Sequence, residues 1–518
     1  MLRQLKRVFK DSVIYGLGSL LPKAAGFLLV PVYTRFMSPS DYGILSMTGI
    51  IASAMGSIFM LGQNGSVTRF FRTRGGEGDP EGLRRMLFTV TVFTVGFGAL
   101  LLGASYAFGP ALFDLAVKDP RFTFLPYVWV AILGAYFAGP MLIWQAVARA
   151  QRKSVRYVTV QVSNFSVNTV ASLVLVVGLS LGALGSLYGT LIAAVLFAPL
   201  SIWFMRRDLS PHFSTSWLKR SLVFGLPLVP HYFAGWLLSF ADRYILERYT
   251  SLAQVGIYSL AYNVAMVASF VAMSVNQAWT PIYYDMAESE DAELLPRLTT
   301  VYAAGIMLFC AAFLLVSRGL LIALAAPKYH SAAAIVPIVV AAYAMQAMYF
   351  VTSTTLFYER KTQIVPLITA GAAAVNIALN LWLIPLYGIF AAAWTTFIAF
   401  SIMAVVSWSI SRRLRPGVFE DSRLVRVLMM FGFAWLADAL IASVTTPLSL
   451  LSMVLRIGAM ALLPVILVVS NVITPAEVRS LVTRIRTRRI RVTKEAEDAI
   501  ETQAVDADGQ SPDDTRIG

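Results

Sequence analysis

Apolar residues in this chain come in long runs, not at the spacing of a half-exposed helix or strand. Fourteen runs can be traced, at roughly 12–34, 43–62, 86–113, 125–148, 158–178, 183–204, 221–241, 256–283, 298–317, 332–357, 366–384, 389–411, 424–443 and 447–470, each bounded by proline, glycine or charge. A run of about 20 residues carries a helix across a hydrocarbon core of about 30 Å. The pattern therefore predicts an all-α integral membrane protein with about fourteen transmembrane helices. The first run, Ser12 to Thr34, holds Lys23 near its middle, directly after Pro22. A cation at that depth is costly and should face a polar cavity or a partner, while the proline frees a backbone carbonyl beside it.

The arrangement returns 208 residues later, where Pro22, Lys23 and Arg35 correspond to Pro230, His231 and Arg243. Arg152-Lys153 recurs as Arg360-Lys361 and Asn168 as Asn376, and LAVKDPRF around Lys118 has a looser counterpart in LAAPKYHS around Lys328. The chain reads as a duplication: an N-lobe of six spans over 1–206, a C-lobe of six over 207–413, two further helices within 414–474, and a tail over 475–518. An even number of spans per lobe makes the repeats parallel, related by an axis along the membrane normal, and such lobes commonly enclose a path that opens alternately to either side.

Composition agrees, with 58% hydrophobic residues, 14% charged and mean hydropathy +0.70; soluble domains carry about 25% charged residues. Net charge +14 would suggest nucleic acid if taken alone. However, 33 of the 42 Lys and Arg fall on alternate connections and the termini, 6 on the opposite set (Arg35, Lys118, Arg121, Arg243, Arg248, Lys328), and Lys23, Arg318 and Arg456 in or beside spans. That is a positive-inside distribution, which places both termini in the cytoplasm and removes the argument for a nucleic-acid partner. The N-terminal MLRQLKRVFK and its apolar run resemble a signal peptide, but the run is too long and lacks a small-residue cleavage site, so it is expected to stay as the first helix. The tail is a basic amphipathic stretch to Lys494, suited to anionic lipid, followed by an acidic end expected to be disordered. Cys310 is alone and His212, His231 and His330 are scattered, so neither disulfide, metal site nor cofactor is expected.

The stretches SLLPKAAGFLLVPVYTRFMSPSDYGIL, FGLPLVPHYFAGWLLSFADRYIL, VGIYSLAY and NQAWTPIYY resemble the Wzx-type polysaccharide-biosynthesis flippases, relatives of the lipid II flippases and of the multidrug and toxin extruders. The resemblance covers about the first 410 residues. It implies transfer of an undecaprenyl-pyrophosphate-linked oligosaccharide across the bacterial inner membrane for O-antigen, capsule or exopolysaccharide. Membrane lipids, and polymerase and export proteins, would be its partners.

The residues are compatible with that chemistry. A pyrophosphate needs cationic donors in a hydrated path, and Lys23 and His231 occupy one position in two copies of a helix, with Arg35, Arg243 and Arg69 near span ends. The blander readings are a snorkelling or paired lysine, a hydrogen-bonded neutral histidine, and arginines that anchor helix ends. Asn168, Asn263, Asn276, Gln277, Gln346, Asn376 and Asn380 are candidates for a sugar path, although hydrogen bonding between helices is their commoner role. Only Asp242 and Asp438 fall in or against spans, too few buried acids for an extruder of cationic drugs. Asp242 suits a salt bridge with Arg243 or, more sharply, coupling to an ion, and Asp438 suits a structural pair with Arg456. A lipid II flippase is the near alternative. A membrane glycosyltransferase or polymerase is the distant one, disfavoured because the longest outer connection, about Asp242 to Val255, holds only Asp242 and Glu247 as acids.

Overall fold

The computed structural model describes residues 27, 29–74, 79–290 and 292–474. Among them every regular element is helical. The helices are α1 (Val30–Phe36), α2 (Pro39–Met60), α3 (Gln63–Arg74), α4 (Pro80–Ala116), α5 (Trp129–Ala150), α6 (Ser154–Leu173), α7 (Gly182–Met205), α8 (Thr215–Gly225), α9 (Leu228–Tyr249), α10 (Leu252–Ala287), α11 (Leu295–Leu324), α12 (Val336–Tyr358), α13 (Ile364–Leu414), α14 (Asp421–Val444) and α15 (Leu450–Val469). Eleven helices among the described residues are long and apolar enough to cross a membrane. The first span is described only at its end, as α1; Lys23 and the 475–518 tail lie outside the described residues.

Local chemistry sets the helix ends. Ser38 caps α2 reciprocally: its hydroxyl accepts the Asp41 N–H at 3.1 Å, and Asp41 accepts the Ser38 N–H at 3.0 Å. Pro39 follows at the first helical position, where no N–H is needed. Leu61 and Gly62 both take positive φ, 42° and 73°, and divide α2 from α3. The duplication leaves a backbone trace. Arg152 and Arg360, 208 residues apart, sit at φ 55° and 56°, and after each the chain closes the same way, Lys153 N–H on Ala148 O and Lys361 N–H on Leu356 O, both 2.9 Å. Ser180 and Gly388, also 208 apart, share φ 54° and 58°.

Several expected boundaries move. Spans 366–384 and 389–411 are two legs of α13, whose 51 residues bend at Gly388. The 221–241 span is divided between α8 and α9 at Leu226 and Pro227. The connection expected from Asp242 to Val255 is mostly helix: α9 runs to Tyr249, and only Thr250 and Ser251 separate it from α10. Composition ends that span too early because Asp242, Arg243 and Glu247 look solvated. All three are buried and carry hydrogen bonds, so helix and polarity coexist there. Arg297, counted on a connection, is likewise buried in the first turn of α11, where Nη1 donates to Val472 O at 2.7 Å.

Helix connections alternate between two ends. The basic end gathers Arg149, Arg152, Lys153, Arg156, Arg206 and Arg207; the opposite end holds the connections near 37, 118, 250 and 326. The largest core among the described residues is centred in the C-lobe, around the nearly enclosed α12 and the fully buried Tyr258 and Tyr283, and continues into the N-lobe through Tyr42, Met47 and Ile132. Helices α14 and α15 are tied to α11 by charge. Asp438, fully buried, accepts from Arg456 Nη1 and, at 2.7 Å, from Arg318 Nε. The expected Asp438 and Arg456 pair is thus one half of a triad, with Arg318 as the unforeseen third member.

Candidate functional site

The two lobes meet where α2 crosses α10 near the opposite end. In lipid, helices associate through close packing of small residues and hydrogen bonds between them. Gly43 rests on Leu252, and a Cβ there would lie 2.1 Å from Leu252 O. Gly256 rests on Pro39, where a Cβ would lie 1.9 Å from Pro39 O, so only glycine allows this approach. One turn on, Ser259 Oγ donates to Ser46 Oγ at 2.7 Å, and Asn263 Nδ2 donates to Tyr42 OH at 2.8 Å. Trp236 of α9 adds an indole N–H to Ile50 O at 3.2 Å. These contacts close the opposite end.

In the N-lobe, α2, α5 and α7 surround a cavity of about 710 Å³ that runs along α2 from Leu45, level with the crossing, to Gly62 and Asn64 at the basic end. Ser53, Ser57, Asn64 and Thr190 give it hydroxyl and amide groups among glycine, alanine and leucine, and among the described residues none that lines it is charged. Neutral donors and acceptors of this kind suit a hydroxylated ligand more than a cation.

Among the described residues the sequence candidates do not converge on one point. Arg35 is exposed in the last turn of α1, and its carbonyl accepts Lys328 Nζ at 3.2 Å. Arg69 is exposed on α3 at the basic end, its guanidinium 4.4 Å from the Phe224 ring centre. About 33 Å of α2, 22 residues long, separates them. His231 lies in the first turn of α9, and its side chain is outside the described set. Arg243 is no interfacial anchor. It is buried, pairs with Asp242 through Nη1 at 3.1 Å and lies 4.5 Å from the Tyr262 ring centre. Asp242 also accepts the Tyr258 hydroxyl at 2.5 Å, so this acid and base, matched by Thr34 and Arg35 in the N-lobe, form an enclosed unit in the C-lobe alone.

Most polar span residues take the blander role. Asn168 accepts from Ser172, Asn276 from Tyr302 and Gln346 from Ser269. Asn380 donates to Asn376 at 3.0 Å and accepts from Thr395 across the bend of α13. Gln277 is exposed on α10. Sequence reasoning missed Glu247, whose only signal was a helical spacing from Arg243 that continues past the apolar run.

Residues 8–287 match the family described as polysaccharide biosynthesis protein. A protein of the Lsg locus of Haemophilus influenzae is 29% identical over 290 residues, which is 54% of this chain and 66% of that one; the chain thus spans just under two thirds of that relative's length. The solved structure of the lipid II flippase MurJ in an inward closed conformation aligns with 89% of this chain and 100% of its own, at TM-score 0.69 and 13% identity. An inward-facing multidrug transporter of the MATE family, in the MOP superfamily, aligns with 76% of this chain and 94% of its own, at TM-score 0.57 and 16% identity. At those identities the two structures establish a shared fold of many membrane-length helices. With more than half of its length matched, the chain belongs to the polysaccharide biosynthesis protein family.

Proposed function

We propose that this protein moves an undecaprenyl-pyrophosphate-linked oligosaccharide across the bacterial inner membrane by alternating access, for surface polysaccharide assembly. The observation that carries the reading is the asymmetry of the lobe contact. The glycine crossing of α2 and α10 seals one end, and a hydroxyl-bearing cavity, neutral among the described residues, runs from beside it along α2 to Gly62 and Asn64 at the other. Placing the basic end in the cytoplasm, as the Lys and Arg distribution favours, makes this an inward state ready to receive cargo from the cytoplasmic leaflet. An uncharged cavity suits sugar hydroxyls, and the polyprenyl tail can stay in lipid.

Lys23 and His231 are assigned to the pyrophosphate, on the strength of their equivalent positions after proline. Each charge-assisted hydrogen bond in a low-dielectric path contributes about 1.5–3 kcal/mol. Arg35 and Arg69 are assigned to the two ends of the path. Arg243 belongs instead to the buried pair with Asp242, which is retained as a coupling candidate.

The test is reconstitution. Purified protein in liposomes containing a polyprenyl-pyrophosphate oligosaccharide is expected to expose the glycan to a lectin added outside. Movement of lipid II or of a cationic dye, with no movement of the oligosaccharide lipid, would refute the assignment of cargo.

A further inference from the structure

At the opposite end each lobe docks a connection onto the other. The N-lobe connection after α4 offers the main-chain N–H groups of Lys118 and Asp119, and both donate to Oε1 of Glu247 in the last turn of α9, at 3.0 Å each. The C-lobe connection after α11 reciprocates. Ala326 N–H donates to Thr34 Oγ1 at 3.1 Å, and the Tyr329 hydroxyl donates to Met37 O at 3.2 Å. The two clasps occupy matching places in the duplication but differ in chemistry. The second has neutral acceptors, while in the first a carboxylate holds two N–H groups. Glu247 is only 3% exposed, and its Oε2 has no hydrogen-bond partner among the described residues. Asp119 turns its own carboxylate to Arg121, at 2.7 Å, and so meets Glu247 through its backbone alone.

We propose that Glu247 is a positioning residue of the transport cycle, the acceptor that holds the lobes shut at the opposite end. The inference rests on the alternating-access part of the proposed function and not on the identity of the cargo. When α2 and α10 part, Glu247 and both N–H groups pass into water and are satisfied there. When the lobes close, the two N–H groups, on a partly exposed connection, are both met by this one oxygen of an enclosed carboxylate. Deleting it therefore weakens the closed form alone, because both charge-assisted bonds exist only there, whereas in the open form the same N–H groups are hydrated with or without it. The shift expected is at least about tenfold in the ratio of closed to open, equivalent to about 1.4 kcal/mol.

The test uses the full chain with Cys310→Ala, Ser46→Cys and Ser259→Cys, whose side chains face each other across the crossing, and a protease site in the connection at 206–214. A disulfide then holds the two cleaved lobes together on a gel, and its rate of formation under a mild oxidant reports closure. Glu247→Ala is expected to slow cross-linking about tenfold or more, and Glu247→Gln, which keeps the acceptor oxygen, to stay within about threefold of the parent. In a separate Cys310→Ala and Ser57→Cys protein, maleimide labelling of the cavity from the basic side should fall with Glu247→Ala, since that side closes as the other opens. Parental cross-linking in Glu247→Ala overturns the proposal. So does equal slowing by Ala and Gln with unchanged labelling at position 57, which marks general loosening. If the alanine variant is not recovered from membranes, Glu247→Asp decides: withdrawing the carboxylate by one methylene should slow cross-linking severalfold, and a parental rate refutes the role. Neither readout requires cargo, so failure here is distinguishable from failure of the oligosaccharide assignment.

Discussion

Asp438 offers the sharpest test of how the last two helices are held. Its carboxylate is fully buried between Arg456, itself 4% exposed, and Arg318, whose side chain is 19% exposed. Arg456 also donates to Leu315 O and to Ser452 Oγ, so it is fixed to both α11 and its own helix. Asp438→Asn keeps the shape but leaves two guanidinium groups with no counter-charge inside the membrane. Removing one partner from a buried ion pair costs about 3–5 kcal/mol. With two cations stranded, the upper part of that range applies. Arg318→Gln should cost less, because Asp438 keeps Arg456 and Arg318 is partly solvated. Replacing all three by apolar residues of similar volume should recover much of the loss, since burying ion pairs repays little more than their desolvation. The assay is detergent thermostability followed by size-exclusion fluorescence, with the order of stability parent, Arg318→Gln, Asp438→Asn from highest to lowest, and the triple variant above Asp438→Asn. An Asp438→Asn protein as stable as the parent would show that the triad does not hold α14 and α15 to the C-lobe.

Gly256→Ala places a methyl group where Pro39 O stands 1.9 Å away, so the crossing cannot close as observed; loss of the Ser46 to Ser259 cross-link with normal membrane abundance is expected, and an intact cross-link would refute it. Asp242→Asn leaves Arg243 buried without its counter-charge and should lower thermostability by about 3–5 kcal/mol; lost transport with parental stability would instead favour ion coupling. Lys23→Ala should abolish or sharply reduce transfer of the oligosaccharide lipid in liposomes, Lys23→Arg should keep part of it and His231→Ala should lose less, whereas parental rates with Lys23→Ala and Lys23→Met would leave the lysine a structural cation.

What the sequence made legible was what depends on composition over a whole turn or more. Bilayer-length apolar runs marked the helices, and the break at Gly388 was visible because Pro385, Gly388 and the apolar gap coincide. The 208-residue offset was legible because paired basic residues follow helix ends in both halves. Asp242, Arg243 and Glu247 were misread because polarity was taken to mean water. Burial can be tolerated when the partner is supplied by another element, and no local pattern links Glu247 to the N–H groups of Lys118 and Asp119, about 130 residues away. Arg318 was missed as a partner of Asp438 for the same reason. The six site candidates were chosen by charge and repeat position; the side-chain packing that separates Arg35, Arg69 and Arg243 is long-range information.

The glycine crossing also bears on how such a molecule arose. Gly43 meets Leu252 and Gly256 meets Pro39, Ser46 meets Ser259, and in each case the two positions are 213 residues apart or exchange under that shift, a local offset five greater than the 208 of Arg35 and Arg243 because five extra residues enter between Arg243 and Leu252. Residue i touches j′ and j touches i′, the signature of an isologous dimer contact. A half-length ancestor presenting this helix would be self-complementary and would pair in parallel through the same glycine. Fusion into one gene would free the two faces from identity: Tyr42, whose counterpart under that shift is Val255, meets Asn263, and Glu247 occupies one clasp while the other stays neutral. A symmetric dimer must change both halves with every substitution; the fused chain can tune one side of its seam at a time.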